Sequence, residues 1–173
     1  MPINKAEART ILSQKRAALT DAECMKLDDL LLIQFQRIDW SNTAMLASFY
    51  PLAHKNEPNT LLFEKYIKAL YPFIRFCYPI VNKALNEMDF YIETEMLQKN
   101  AFGIQEPLPF NQVVPDTIDT MLVPLLGFDL KGHRVGYGKG YYDRYLSKAN
   151  KGMQKIGISY FEPMDNFTDT NEF

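Results

Sequence analysis

The stretch from Arg134 to Tyr145 reads R-V-G-Y-G-K-G-Y-Y-D-R-Y. Gly136, Gly138 and Gly140 alternate, and Lys139 sits between the last two. Glycine reaches backbone conformations that other residues resist, so successive N–H groups can turn toward one ligand. A helix starting near Gly140 adds its free N–H groups and the positive end of its dipole. Lys139 and Arg134 supply full positive charge, and Asp143 offers a carboxylate to a metal ion. The ligand that suits this chemistry is a polyphosphate with its cation.

The run is not the P-loop pattern G-x-x-x-x-G-K-[ST]. Its glycines equally suit a tight turn that binds nothing. Against the bare turn stand Lys139, Arg134, Arg144, Asp143 and several tyrosines, because a turn requires none of them. Tyr137, Tyr141 and Tyr142 present flat faces and hydroxyls to a ligand. Tyr142 and Tyr145, three apart, also suit the packing of a helix on a sheet.

Such a loop needs a scaffold. Residues 4–19 read as a helix capped by Asn4, with Ile11, Leu12 and Leu19 apolar and Lys5, Arg9 and Arg16 recurring at helical spacings. Thr20-Asp21-Ala22-Glu23 is a capping box opening a second helix toward Arg37, with Met25, Leu27, Leu30, Leu31 and Phe35 as its buried face. Strands are expected at 43–50, 73–79, 85–92, 120–124 and 155–160, and further helices at 60–71 and 140–147. Residues 93–119 read as irregular and rich in proline. This alternation predicts an α/β protein with helices on both faces of a mostly parallel sheet. In such sheets ligands sit beyond the carboxyl ends of the strands. The loop after Tyr50, the turn after Pro124 and the glycine run all follow expected strands, so one site can gather them.

The chain has 173 residues, the size of one domain spanning 1–173. Its net charge of −2 gives no broad basic face, which argues against non-specific nucleic-acid binding. Cys24 and Cys77 form no metal-ligand spacing and read as buried, inert thiols. His54 and His133 are too isolated to be a metal pair, and Asp129 suits a turn cap as well as a ligand contact. No apolar run reaches membrane-spanning length, and residues 1–7 lack a secretory apolar region. The expectation is a cytoplasmic protein without membrane or nucleic-acid partners.

The segment L-V-P-L-L-G-F-D over 122–129, followed by R-V-G-Y-G-K-G-Y-Y-D-R over 134–144, resembles the signature of 5-formyltetrahydrofolate cyclo-ligases. Three shorter matches occur in the same order: Lys5 to Arg9, the Glu57-Pro58-Asn59-Thr60 element, and F-G-I-Q-E-P over 102–107. The resemblance spans nearly the whole chain. It implies a layered α/β/α fold of the ribose-5-phosphate isomerase and CoA-transferase type. It also implies conversion of 5-formyltetrahydrofolate to 5,10-methenyltetrahydrofolate with ATP and Mg²⁺, releasing ADP and phosphate.

Carried over by position, ATP would contact Lys5, Arg9, Arg134, Gly136, Tyr137, Gly138, Lys139, Gly140, Tyr141 and Tyr142. Folate would contact Leu52, Glu57, Tyr137 and Tyr141. Asp143 would hold Mg²⁺, and Lys139 and Arg134 would stabilise developing phosphate charge. Two departures stand out. Pro58 follows the glutamate where the family favours an aliphatic residue, which stiffens that loop. The family also usually continues past the position of Phe173 through another acidic stretch and a final strand. A chain shortened at its C-terminus is therefore expected; Asp165 and Asp169 lie before that region, and neither is assigned to the family's second acidic position. Two other readings remain at this point: a sugar-phosphate isomerase of similar architecture, and a folate- or nucleotide-binding paralogue without turnover.

Overall fold

A computed structural model of the protein describes residues 3–100, 103 and 105–169. Phe102 and Ile104 of the F-G-I-Q-E-P element lie outside the described residues. The helices are α1 (Lys5–Ala17), α2 (Asp21–Phe35), α3 (Thr60–Leu70) and α4 (Tyr141–Lys148). The strands are β1 (Met45–Ala47), β2 (Arg75–Asn82), β3 (Glu87–Ile92), β4 (Leu97–Lys99), β5 (Gln105–Pro107), β6 (Thr120–Pro124), β7 (Gly127–Phe128), β8 (Arg134–Val135) and β9 (Gln154–Ile158). Five of them form one sheet in the order β3-β2-β1-β6-β9. All its pairings are parallel except β2 with β3. The expected mostly parallel sheet is present.

Alternate residues on each strand point to opposite faces, and the core divides accordingly. Leu46, Phe76, Tyr78, Leu122 and Ile158 pack with Phe35, Trp40 and Phe63 under α2 and α3. Met45, Ala47, Cys77, Met121 and Val123 pack with Phe90 and Tyr145 under α4. A smaller cluster of Ala8, Leu12, Leu126, Val135 and Phe167 seats α1 over the β7–β8 hairpin. That third cluster brings α1 to the carboxyl edge of the sheet.

Both N-terminal helices start where capping predicts. Asn4 and Glu7 exchange hydrogen bonds in a capping box, as do Thr20 and Glu23. The expected buried face of α2 needs correction: Met25 and Leu30 are exposed, Leu27 and Leu31 are half-buried, and Phe35 is buried. The residue that turns inward beside Phe35 is Asp28, whose carboxylate accepts from the Asn59 amide (2.9 Å) and the Tyr160 hydroxyl (2.7 Å). Residues 93–119 are also not wholly irregular, since β4 and β5 pair antiparallel there and a 3₁₀ turn covers Pro115–Thr117. Cys77 is buried, which pushes its thiol up to about 12, whereas Cys24 is partly exposed. Among the described residues no helix is long and apolar enough to cross a membrane.

Candidate active site

The loops that follow β1 and β6 meet beneath α1. After β1, the chain passes Leu52 and a 3₁₀ turn to Asn56, which adopts a left-handed conformation (φ 48°). The Asn56 amide donates to the carbonyls of Arg16 and Leu19, both at 3.0 Å, and so ties this loop to the end of α1. Thr60 anchors the other end, donating its hydroxyl to the Phe49 carbonyl at 2.6 Å. Glu57 is held between these anchors with 8% of its surface exposed. One carboxylate oxygen accepts the Leu52 N–H at 2.7 Å, and the other accepts the Tyr137 hydroxyl. Leu52, Glu57 and the sequence-distant Tyr137 are thus one hydrogen-bonded unit.

Tyr137 belongs to the glycine loop, and α1 holds that loop directly. Arg9 Nε donates to the Gly136 carbonyl at 2.9 Å. Gly138 has φ +78°, and a Cβ there would sit 3.1 Å from Arg9 Cζ. Gly140 has φ +68° and caps α4, where a Cβ would come within 2.7 Å of Arg144 Nη1. Alanine at either position meets a conformation disfavoured for L-residues and a crowded guanidinium together. Arg144 closes the far side, donating to the Asn86 carbonyl (2.9 Å) and the Lys139 carbonyl (3.0 Å). The start of α4 has no side-chain cap, and uncapped first-turn amides suit an anion.

Lys139 is exposed beside those amides. Arg134 and Asp143 form an ion pair in which each side chain is about a third exposed (31% and 33%). Among the described residues no group of three His, Cys, Asp or Glu side chains gathers around a common point. Lys5 lies in the first turn of α1, and its N–H donates to Asp169 Oδ1 at 2.7 Å, so Asp169 serves as a tether for that helix. Tyr141 lies under the Arg144 guanidinium, 5.1 Å from ring centroid to Cζ, and Tyr142 packs on the core cluster beneath α4. Burial pushes the Tyr142 hydroxyl up, so it stays protonated.

Asp129 is a structural residue. It is 1% exposed and accepts the N–H groups of Lys131 (2.9 Å), His133 (2.8 Å) and Phe167 (3.2 Å) and the His133 ring at 3.0 Å. Burial opposes its charge, but these bonds outweigh that and bring its carboxyl down to about 2. It fixes the turn between β7 and β8 that delivers Arg134.

Arg16, Asp28 and Tyr160 were not singled out from the sequence, although Arg16 shared a helical spacing with Arg9. It is 4% exposed and donates to the Tyr137 hydroxyl. Seven residues separate the two arginines, nearly two helical turns, which puts both on the face toward the glycine loop.

The chain is an α/β protein with a mostly parallel sheet, and a glycine-rich loop and a buried acid meet at the sheet's carboxyl edge. Residues 3–162 match the 5-formyltetrahydrofolate cyclo-ligase family model, and the chain belongs to that family. The 5-formyltetrahydrofolate cyclo-ligase of Mycoplasma genitalium is 34% identical over 96% of this chain and 91% of its own length. That of Mus musculus is 30% identical over 84% of this chain and 74% of its own. The NMR structure of Aquifex aeolicus 5,10-methenyltetrahydrofolate synthetase matches with a TM-score of 0.72 and 31% identity, covering 93% of this chain and 83% of that one. The Mycoplasma pneumoniae 5,10-methenyltetrahydrofolate synthetase also gives a TM-score of 0.72, at 30% identity over 90% of this chain and 85% of its own.

Proposed function

We propose that the protein converts 5-formyltetrahydrofolate to 5,10-methenyltetrahydrofolate in the cytoplasm, consuming ATP and releasing ADP and phosphate. The observation that supports this reading is the hydrogen bond from Tyr137 to Glu57, which joins the glycine loop to the loop after β1; on this reading the first binds phosphate and the second folate. The reaction requires that proximity, because one substrate must receive a phosphoryl group from the other.

An N-formyl group is an amide and a poor electrophile. Its oxygen attacks the γ-phosphorus of ATP, forming an O–P bond as the bond to the ADP oxygen breaks. N10 of the folate then adds to the formyl carbon and loses its proton. The C–O bond breaks, phosphate leaves with the formyl oxygen, and the methenyl cation remains. Protein catalysis of phosphoryl transfer is mainly positioning and charge stabilisation. Lys139 and the uncapped amides of α4 neutralise phosphate charge, with Arg134 beside them. Arg9 sets the loop's shape, and Glu57 accepts N–H groups of the amino-pyrimidine ring.

A single carboxylate suits Mg²⁺ that arrives on a nucleotide, since this ion keeps waters and takes most of its ligands from phosphates. Asp143 would hold it, exchanging Arg134 for the cation, and the bound ion would supply further charge neutralisation. The test is the growth of methenyl absorbance with 5-formyltetrahydrofolate and Mg-ATP. Product that appears only with ATP is expected. Binding of both ligands without product would instead mark a non-catalytic paralogue.

A further inference from the structure

Arg16 is buried on the last turn of α1. A guanidinium keeps its charge in proteins and has donors only, so its burial requires acceptors. Two are present: the Tyr137 hydroxyl and, at 3.4 Å, the Leu125 carbonyl. The Tyr137 ring also lies 5.3 Å from Arg16 Cζ.

The direction of these bonds follows from proton counting. Arg16 cannot accept, so the Tyr137 oxygen must accept from it. The one phenolic proton then goes to the other neighbour, Glu57 Oε1. Burial, followed by the charge of Glu57, pushes the Tyr137 hydroxyl up and keeps that proton in place. The Leu52 amide occupies the second Glu57 oxygen. The chain of donors runs from Arg16 to Tyr137 to Glu57, and Glu57 is an acceptor on both oxygens.

We propose that Arg16 is a positioning residue for the folate end of the site, acting through Tyr137 to hold Glu57 as an oriented acceptor for N–H donors of the substrate's ring. The proposal rests on the cyclo-ligase reading for the identity of that substrate. It also gives α1 two tasks. Arg9 shapes the phosphate loop through Gly136, and Arg16 joins the same loop to the folate side one residue later, at Tyr137.

The test is a double-mutant cycle on steady-state kinetics with Arg16→Met, Tyr137→Phe and the pair, with Arg16→Lys as the conservative variant. Arg16→Met should raise the KM for 5-formyltetrahydrofolate about tenfold, as expected for a lost hydrogen bond to a fixed polar group. The KM for ATP should stay within about twofold, and Arg16→Lys should recover most of the loss. Tyr137→Phe should reproduce the folate shift, and adding Arg16→Met to it should change little, because the relay is already cut. Equal increases in both KM values, or effects that multiply in the double variant, would overturn the proposal. Should Arg16→Met fail to fold, Tyr137→Phe and Arg16→Lys still decide it, since Tyr137→Phe must show the folate-selective shift. If the wild-type protein gives no methenyl product, the cyclo-ligase reading fails instead. The relay is then read from urea unfolding of the same four proteins, where the two substitutions must again be non-additive.

Discussion

Glu57 and Asp143 are the two acids of the site, and the fold holds them in opposite ways. Glu57 is 8% exposed and bonded on both oxygens by the Leu52 amide and Tyr137. The side chain of Asp143 is 33% exposed and paired with Arg134, near an exposed Lys139. The proposed folate end is therefore built before any ligand arrives, whereas the proposed phosphate end consists of solvated charges that a ligand can rearrange. This division would suit the two substrates proposed above. A neutral ring system is recognised by fixed hydrogen-bond geometry, while a nucleotide brings its own charge and cation.

The contrast predicts that substitutions at the phosphate end lower rate without loss of stability, and those in buried networks do both. The largest effect is expected for Lys139→Ala, where loss of a charge-stabilising donor should lower kcat/KM about a hundredfold. Its urea midpoint should match the wild type, and a near wild-type rate with Mg-ATP would remove the glycine loop from the ATP site.

Next comes Asp129→Asn, which keeps acceptors for some of the backbone amides but loses charge-assisted bonds to His133 and Phe167. A cost of about 1.5–3 kcal/mol in unfolding free energy is expected. Its pH dependence has a definite sign. The folded carboxyl sits at about 2, below its ordinary 3.8. The charge therefore contributes stability above about pH 4 that is lost as pH falls toward 2. The gap between wild type and variant in denaturation midpoint should narrow across that window, and a constant gap would contradict the assignment.

Glu57→Gln should weaken 5-formyltetrahydrofolate binding by about tenfold, because an amide presents one acceptor where the carboxylate presents two. ATP binding should change less, which calorimetry with each ligand measures separately. Equal losses for both ligands would erase the distinction between the two ends. Asp143→Asn should cost little stability, since partly exposed ion pairs contribute about 0–1 kcal/mol. Its consequence belongs to the metal: the Mg²⁺ concentration for half-maximal rate should rise at saturating ATP. An unchanged Mg²⁺ midpoint would leave Asp143 as a partner of Arg134 only.

The sequence is most legible where its signals are local. The capping boxes at Asn4 and Thr20 mark their helices correctly because cap and partner lie three residues apart. Gly140 marks the start of α4 because a glycine cap leaves the helix end open. The motif at 134–144, with its family resemblance, led to the glycine loop and to Glu57. Reading fails where partners are distant. The apolar spacing of α2 says nothing of Asp28, yet Asn59 and Tyr160 draw it inward, while Met25 and Leu30 face solvent. The β4–β5 hairpin gave no alternating apolar pattern to find. Arg16 shared a spacing with Arg9, but its role depends on Tyr137, which only the fold brings to it.

The transfer of a phosphoryl group onto the formyl oxygen is the central step of the proposed reaction, and the fate of that oxygen tests it most directly. 5-Formyltetrahydrofolate carrying ¹⁸O in its formyl group should be turned over with unlabelled Mg-ATP, and the phosphate analysed by mass spectrometry. One ¹⁸O atom in each phosphate released is the predicted result. Unlabelled phosphate, with the ¹⁸O released into water, would contradict the account.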